Sequence, residues 1–154
     1  MGKTCFLFGY RDTPDSILPE IESAAERLYA QYDVREFVVG SYGNFDRLAA
    51  LALKAVKTRH ADITLRLLLP YHPAERPVTP PQGFDGTLYP EGLERVPRRL
   101  AIVRANQHMV HQAYAVICFA QYPGNTQKLL QLAQKRTEKE HLILINLAFP
   151  ENPL

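Results

Sequence analysis

Residues 113–126 read Ala-Tyr-Ala-Val-Ile-Cys-Phe-Ala-Gln-Tyr-Pro-Gly-Asn-Thr, an apolar run that stops abruptly at a small polar turn. The segment 116–119 has too little polar content for a half-exposed strand, which predicts a strand buried on both faces of a parallel sheet. The turn that follows then lies at the carboxyl edge of the sheet, where ligands bind in such folds. An ordinary connection from a strand to a helix uses the same turn residues, so this turn alone does not separate the two interpretations.

Similar apolar runs alternate with helical patterns along the chain. Strands are predicted in five segments, 3–10, 36–39, 63–69, 116–119 and 142–147. Helices are predicted at 17–32, capped by Ser16, at 45–56, from Pro97 to 113, and at 125–138. Strands that alternate with helices favour parallel pairing through right-handed crossovers. The sequence therefore predicts an α/β fold, in one domain over residues 1–154.

The segment 70–97 breaks this alternation. It contains six prolines between residues 70 and 90, which argue against a continuous helix or a central strand. A long proline-rich loop is therefore predicted, of the kind that forms lids and binding loops, with a brief extended piece at 87–89. The end of the chain, 150–154, is predicted to be a short unstructured tail.

Composition excludes several classes of protein. The net charge is +2 and the basic residues are scattered, so we expect no nucleic-acid partner. No apolar run approaches the roughly 20 residues of a membrane span, and no secretory signal opens the chain, so we expect a cytoplasmic protein without membrane contact. In that compartment Cys5 and Cys118 are expected to be buried free thiols rather than a disulfide.

Three strands end in turns that are rich in glycine and short polar residues, at 9–12, 40–46 and 123–126. In a parallel sheet these turns meet at one edge, and glycine lets a ligand approach the backbone closely. Asn125 and Thr126 can hydrogen-bond an anionic group, and Arg11 can bind phosphate or carboxylate with two parallel hydrogen bonds. The three turns together favour a ligand site, although none matches the dinucleotide-binding fingerprint or the Walker loop.

Other polar residues have simpler interpretations. His108 and His111 are spaced like metal ligands on a helix, but no neighbouring Glu completes a zinc motif, so a solvated face is favoured and no metal is expected. Asp46 and Glu91 are weak candidates for a catalytic acid, because a helix start and a loop charge explain them equally well.

The order of these motifs resembles the SLOG superfamily, specifically its small bacterial proteins of the DUF1273 type. The resemblance is carried by segments spread over nearly the whole chain, at 8–11, 40–46, 89–94, 96–97, 101–104, 106, 109–110 and 119–124. It implies a three-layer α/β/α Rossmann-like domain with a mostly parallel five-stranded sheet, and we expect the order 3-2-1-4-5. It also implies a pocket for a nucleotide or a nucleotide-derived ligand.

The chain departs from this family at several positions. Tyr10 replaces a histidine, His111 stands where an aspartate is common, and Pro123-Gly124 replaces a Gly-Gly pair. Related enzymes that cleave nucleotide N-glycosidic bonds carry Pro-Gly-Gly-x-Gly-Thr followed by a glutamate, whereas Pro123-Gly124-Asn125-Thr126 is followed by no nearby acid. This difference favours binding over catalysis.

Sequence and resemblance together predict a sensor or regulatory module that binds a nucleotide-like small molecule. The alternatives are a hydrolase of nucleotide or nucleoside N-glycosidic bonds and a protein-interaction scaffold with a vestigial pocket. The oligomeric state is left open, with a homodimer as one alternative. The candidate ligand-binding residues are Gly9, Arg11, Gly40, Gly43, Asp46, Arg104, Asn106, Gly124, Asn125 and Thr126.

Overall fold

The computed structural model describes residues 3–149, so the predicted tail at 150–154 lies outside the described residues. The strands are β1 (Thr4–Gly9), β2 (Glu36–Val39), β3 (Thr64–Leu68), β4 (Gly86–Leu88), β5 (Ala115–Phe119) and β6 (Ile143–Asn146). The helices are α1 (Leu18–Tyr32), α2 (Asn44–Arg59), α3 (Ala101–Gln112) and α4 (Asn125–Lys139). The chain is thus an α/β protein, as predicted.

All neighbouring strands of the sheet are parallel, in the order β4-β3-β2-β1-β5-β6. The five predicted strands are all present and in the predicted order, but the prediction of five strands is wrong because β4 adds a sixth. The backbone N–H of Leu69 donates to the carbonyl of Leu88 at 2.8 Å, and Asp85 donates to Leu65 at 2.8 Å. These bonds hold β4 on the edge of β3, so the segment 70–97 is not one continuous loop.

The two sides of the sheet are both covered by helices, which gives three layers. In β1, Cys5 and Leu7 belong to the core shared with α1 and α2, whereas Phe6 and Phe8 belong to the core shared with α3 and α4. Every residue of β5 is buried. This confirms that the run at 116–119 is a strand buried on both faces, and the fold is Rossmann-like.

Two predicted helix starts are wrong. Ser16 does not cap α1, which begins at Leu18 after a 3-10 turn at Asp15–Ile17 and has no side-chain cap. Pro97 does not begin α3, because a 3-10 turn at Arg98–Leu100 separates it from the helix. In both cases a tighter 3-10 turn precedes the α-helix and delays its first residue.

Two further features are the state of the cysteines and the character of the helices. Cys5 and Cys118 are free and fully buried, as predicted, and burial raises the pKa of both thiols far above the usual range. Across residues 3–149, none of the helices combines the length and the apolar character that crossing a bilayer requires.

Gly9 allows α2 to approach the end of β1. A Cβ atom built on Gly9 would lie 2.4 Å from two ring carbons of Phe45, a distance that side chains do not tolerate. Phe45 is itself buried, in the first turn of α2. The glycine at this sheet edge is therefore explained by packing between the strand and the helix.

Substituting Gly9 by alanine is expected to lower the free energy of unfolding by about 1–3 kcal/mol, since the new methyl group overpacks a filled site. Urea unfolding followed by circular dichroism measures this loss. Gly86→Ala is the matched control, because nothing lies within 4 Å of a Cβ atom at Gly86. Equal stabilities of the two variants would contradict the packing role of Gly9.

Candidate functional site

The three predicted turns meet at the carboxyl edge of the sheet and line one groove. The groove has two lobes, a first lobe with a volume of about 170 Å³ and a second lobe with a volume of about 100 Å³. The two lobes share six lining residues and are therefore two ends of the same groove: Phe8, Gly9, Val103, Asn106, Asn125 and Thr126. Four more residues that line the first lobe belong to the first and second turns: Arg11, Gly40, Tyr42 and Asp46.

The first and second turns are bonded tightly to each other. The N–H groups of Asn44 and Phe45 donate to the carbonyls of Arg11 and Tyr10 at 2.9 and 3.2 Å. The Asn44 side chain also donates to the carbonyl of Thr13 at 2.6 Å. The first two N–H groups of α2, which no bond within the helix can satisfy, thus have protein partners.

The third turn leaves the start of α4 open. Gly124 is the N-cap residue, it has φ +138°, and no side chain caps this end of the helix. Within the described chain, the backbone N–H groups of Asn125 and Thr126 have no hydrogen-bond partner. These donors, together with the partial positive charge of the helix end, suit an anionic group.

Arg11 supplies a full positive charge beside this groove. Its side chain is exposed, and none of the ion pairs between described residues includes it. Gly43 makes room for it, since a Cβ atom at Gly43 would lie 2.6 Å from the Cα atom of Arg11. Gly43, which has φ +119° and does not itself line the groove, therefore allows the backbone of Arg11 to lie against it.

Asp46 is the one carboxylate among the described residues that lines the groove. Burial raises the pKa of Asp46 from 3.8 to about 6, and the N–H of Tyr42, which donates to Oδ2 at 2.8 Å, lowers it in part. Gly40 leaves space for this carboxylate, because a Cβ atom there would lie 3.0 Å from Oδ2. Near neutral pH this group can therefore exchange protons.

Tyr10 joins the first turn to the two residues just before the third turn, a role that the sequence did not reveal. Its hydroxyl oxygen accepts hydrogen bonds from the N–H groups of Gln121 and Tyr122, and the hydroxyl donates to the carbonyl of Tyr122 at 3.0 Å. Its ring also contacts Phe119 edge to face. The one available signal was that Tyr10 replaces a histidine of the family that the chain resembles.

Four of the predicted site residues do not line the groove. Gly124 directly precedes the α4 donors, and Gly43 acts through Arg11, as described above. Arg104 is on the exposed face of α3, and Glu91 is exposed in the segment before the 3-10 turn at Leu93–Arg95. The sequence placed Arg104 correctly on a helix but could not tell which face of the helix meets the sheet. Asn106, by contrast, lines both lobes.

His108 and His111 lie on α3, half-buried and exposed respectively. In the part of the chain that the structure describes, no three His, Cys, Asp or Glu side chains are grouped as metal ligands.

No family model matches the chain, and no curated protein matches it. The SLOG resemblance therefore remains a prediction.

Asp46→Asn is expected to stabilise the fold at neutral pH. The pKa of Asp46 is higher in the folded than in the unfolded state, so the folded protein binds more protons between about pH 4 and 6. As the pH rises through this range, the free energy of unfolding of the wild type should therefore fall relative to that of the variant. It should remain lower at higher pH. The difference should reach about 1–2 kcal/mol, discounted for partial solvent exposure.

Urea unfolding of both proteins at several pH values from 4 to 8 measures this difference. Glu91→Gln makes the same chemical change at an exposed loop position and is the control. A stability difference between Asp46→Asn and the wild type that stays constant from pH 4 to 8 would show that the pKa of Asp46 is not raised.

Proposed function

We propose that the protein binds a nucleotide or a nucleotide-derived small molecule in the groove, as a sensor or regulatory module. The SLOG superfamily, with its nucleotide-binding pockets, is the family that we propose for it. The cytoplasm, where nucleotides are abundant and thiols stay reduced, is the compartment that this function implies.

The proposal depends on one observation above all, the contrast between two helix ends at the same sheet edge. The start of α2 is closed by the carbonyls of Tyr10 and Arg11, whereas the start of α4 opens into the groove with unpartnered N–H groups. Arg11 adds a positive charge without a carboxylate partner among the described residues. An anionic group fits this combination of donors and charge, and a phosphate is the anion that helix N-termini commonly bind.

The size and lining of the groove support a ligand of nucleotide size. The lobes of about 170 and 100 Å³, even taken together, are slightly smaller than typical small-molecule sites of roughly 300–1,000 Å³. One nucleotide suits that space better than a dinucleotide. Leu68, Pro70 and Ile102 give the first lobe an apolar side for a base, and Asp46 can accept hydrogen bonds from ribose hydroxyls. The groove is not filled by side chains, as a vestigial pocket in a scaffold protein would be.

Arg11→Gln should weaken the binding of a nucleotide by about tenfold, because it removes a charge-assisted hydrogen bond to the anionic group. Thermal unfolding against a panel of nucleotides identifies the ligand, and calorimetry on the best one measures affinity at two salt concentrations. The affinity of the wild type should fall more steeply with salt than that of the variant.

Arg104→Gln is the matched control, since Arg104 is an exposed arginine on α3 that does not line the groove. Gly124 is a poor position for this test, because at φ +138° any side chain strains the turn. If Arg11→Gln binds the nucleotide as tightly as the wild type does, or if no nucleotide stabilises the protein, the proposed function is wrong.

A second candidate function is hydrolysis of an N-glycosidic bond, and the raised pKa of Asp46 is the observation that favours it. Wild-type protein incubated with nucleoside monophosphates would then release free base, which chromatography detects. Asp46→Asn should slow the release by about 100-fold or more, because it removes the acid–base group. Absence of free base with the wild type would exclude this reaction and leave binding as the function.

A further inference from the structure

We propose that the second lobe of the groove holds a second phosphate, so that a nucleoside diphosphate is preferred over a nucleoside monophosphate. This inference rests on the proposed function, because it concerns the same groove. It adds the orientation of the ligand and a further binding residue, Lys128.

The two lobes differ in charge. The first lobe carries Arg11 and the carboxylate of Asp46, whereas the second carries Lys128 and, among the described residues, no Asp or Glu. None of the ion pairs between described residues includes Lys128. A negative charge is therefore better accommodated in the second lobe than beside Asp46.

The other groups of the second lobe are hydrogen-bonding amides. Asn106 and Gln107 of α3 line it on one side, and Asn125 of α4 lines it on the other. Asn125 and Lys128 are three residues apart in α4 and so project from the same face of the helix. With about 100 Å³, this lobe has room for several water molecules, and hence for one phosphoryl group.

The lining of the first lobe sets the direction of the ligand. Tyr42, Leu68 and Ile102 offer apolar contact to a base, and Asp46 offers acceptors to ribose hydroxyls. The phosphate next to the ribose then lies at the wall that both lobes share, beside the open start of α4. A second phosphate attached to it extends into the second lobe, toward Lys128.

Calorimetry tests this with adenosine and guanosine monophosphates and diphosphates and with inorganic pyrophosphate, on the wild type, Lys128→Gln and Lys135→Gln. The matched control, Lys135, is an exposed lysine of α4 outside the groove. The wild type and Lys135→Gln should bind the diphosphate about fivefold tighter than the monophosphate of the same base, since one exposed ion pair is gained. In Lys128→Gln the two affinities should become equal, because this variant loses the extra affinity for the diphosphate.

Two results would overturn the inference alone while leaving the proposed function intact. These are equal affinities of the wild type for monophosphate and diphosphate, and a preference that persists in Lys128→Gln. Pyrophosphate binding as tightly as the nucleoside diphosphate would mean that the first lobe does not hold the nucleoside, and it would overturn the proposed function as well. If neither the monophosphates nor the diphosphates bind to the wild type, the inference and the proposed function fail together.

Discussion

Burial of β1 and β5 on both faces is the constraint on which the rest of the structure depends. Residues of β1 alternate between two cores, and β5 has no exposed residue, so helices must cover the sheet on both sides. Parallel strands joined through such helices all end at the same edge. The three polar turns are therefore brought together by the burial of apolar residues, and the groove is a consequence of that arrangement.

One helix end at the groove is closed and the other is open. The reason is that carbonyls of the first turn accept hydrogen bonds from the start of α2 and not from the start of α4. The close approach of Phe45 to Gly9 brings the start of α2 against the carbonyls of Tyr10 and Arg11, which satisfy its N–H groups. No equivalent segment reaches the start of α4 within the described chain. The free backbone donors at the start of α4 thus lie near a charged side chain, and this difference between the two helix ends gives the site its chemical character.

Asp46 carries a cost of burial in the groove, and Tyr10, which does not line the groove, constrains the segment just before α4. Asp46 lies where burial disfavours its charge, although an apolar or amide side chain would be cheaper there. Tyr10 fixes the third turn through its hydroxyl group and so holds the approach to α4 in one geometry. A buried carboxylate that lowers the stability of the fold and a turn fixed by hydrogen bonds are features expected of a preorganised binding site.

The sequence by itself determined the fold class, the five main strands and the edge at which the turns meet, because apolar periodicity and alternation depend on local pattern. The order of those strands was expected alongside the family resemblance and not from local pattern. The sequence did not determine that residues 86–88 join the sheet. Three residues among prolines are too few to show a strand pattern, and they pair as a strand only because β3 offers a free edge. Nor did the sequence separate the roles of the glycines: only packing in three dimensions assigns Gly9 to Phe45, Gly43 to Arg11 and Gly40 to Asp46. Tertiary structure also decided which faces of α3 and α4 meet the groove, and thus that Lys128 lines it and Arg104 does not. A helical pattern predicts the buried face of a helix but not the surface that borders it.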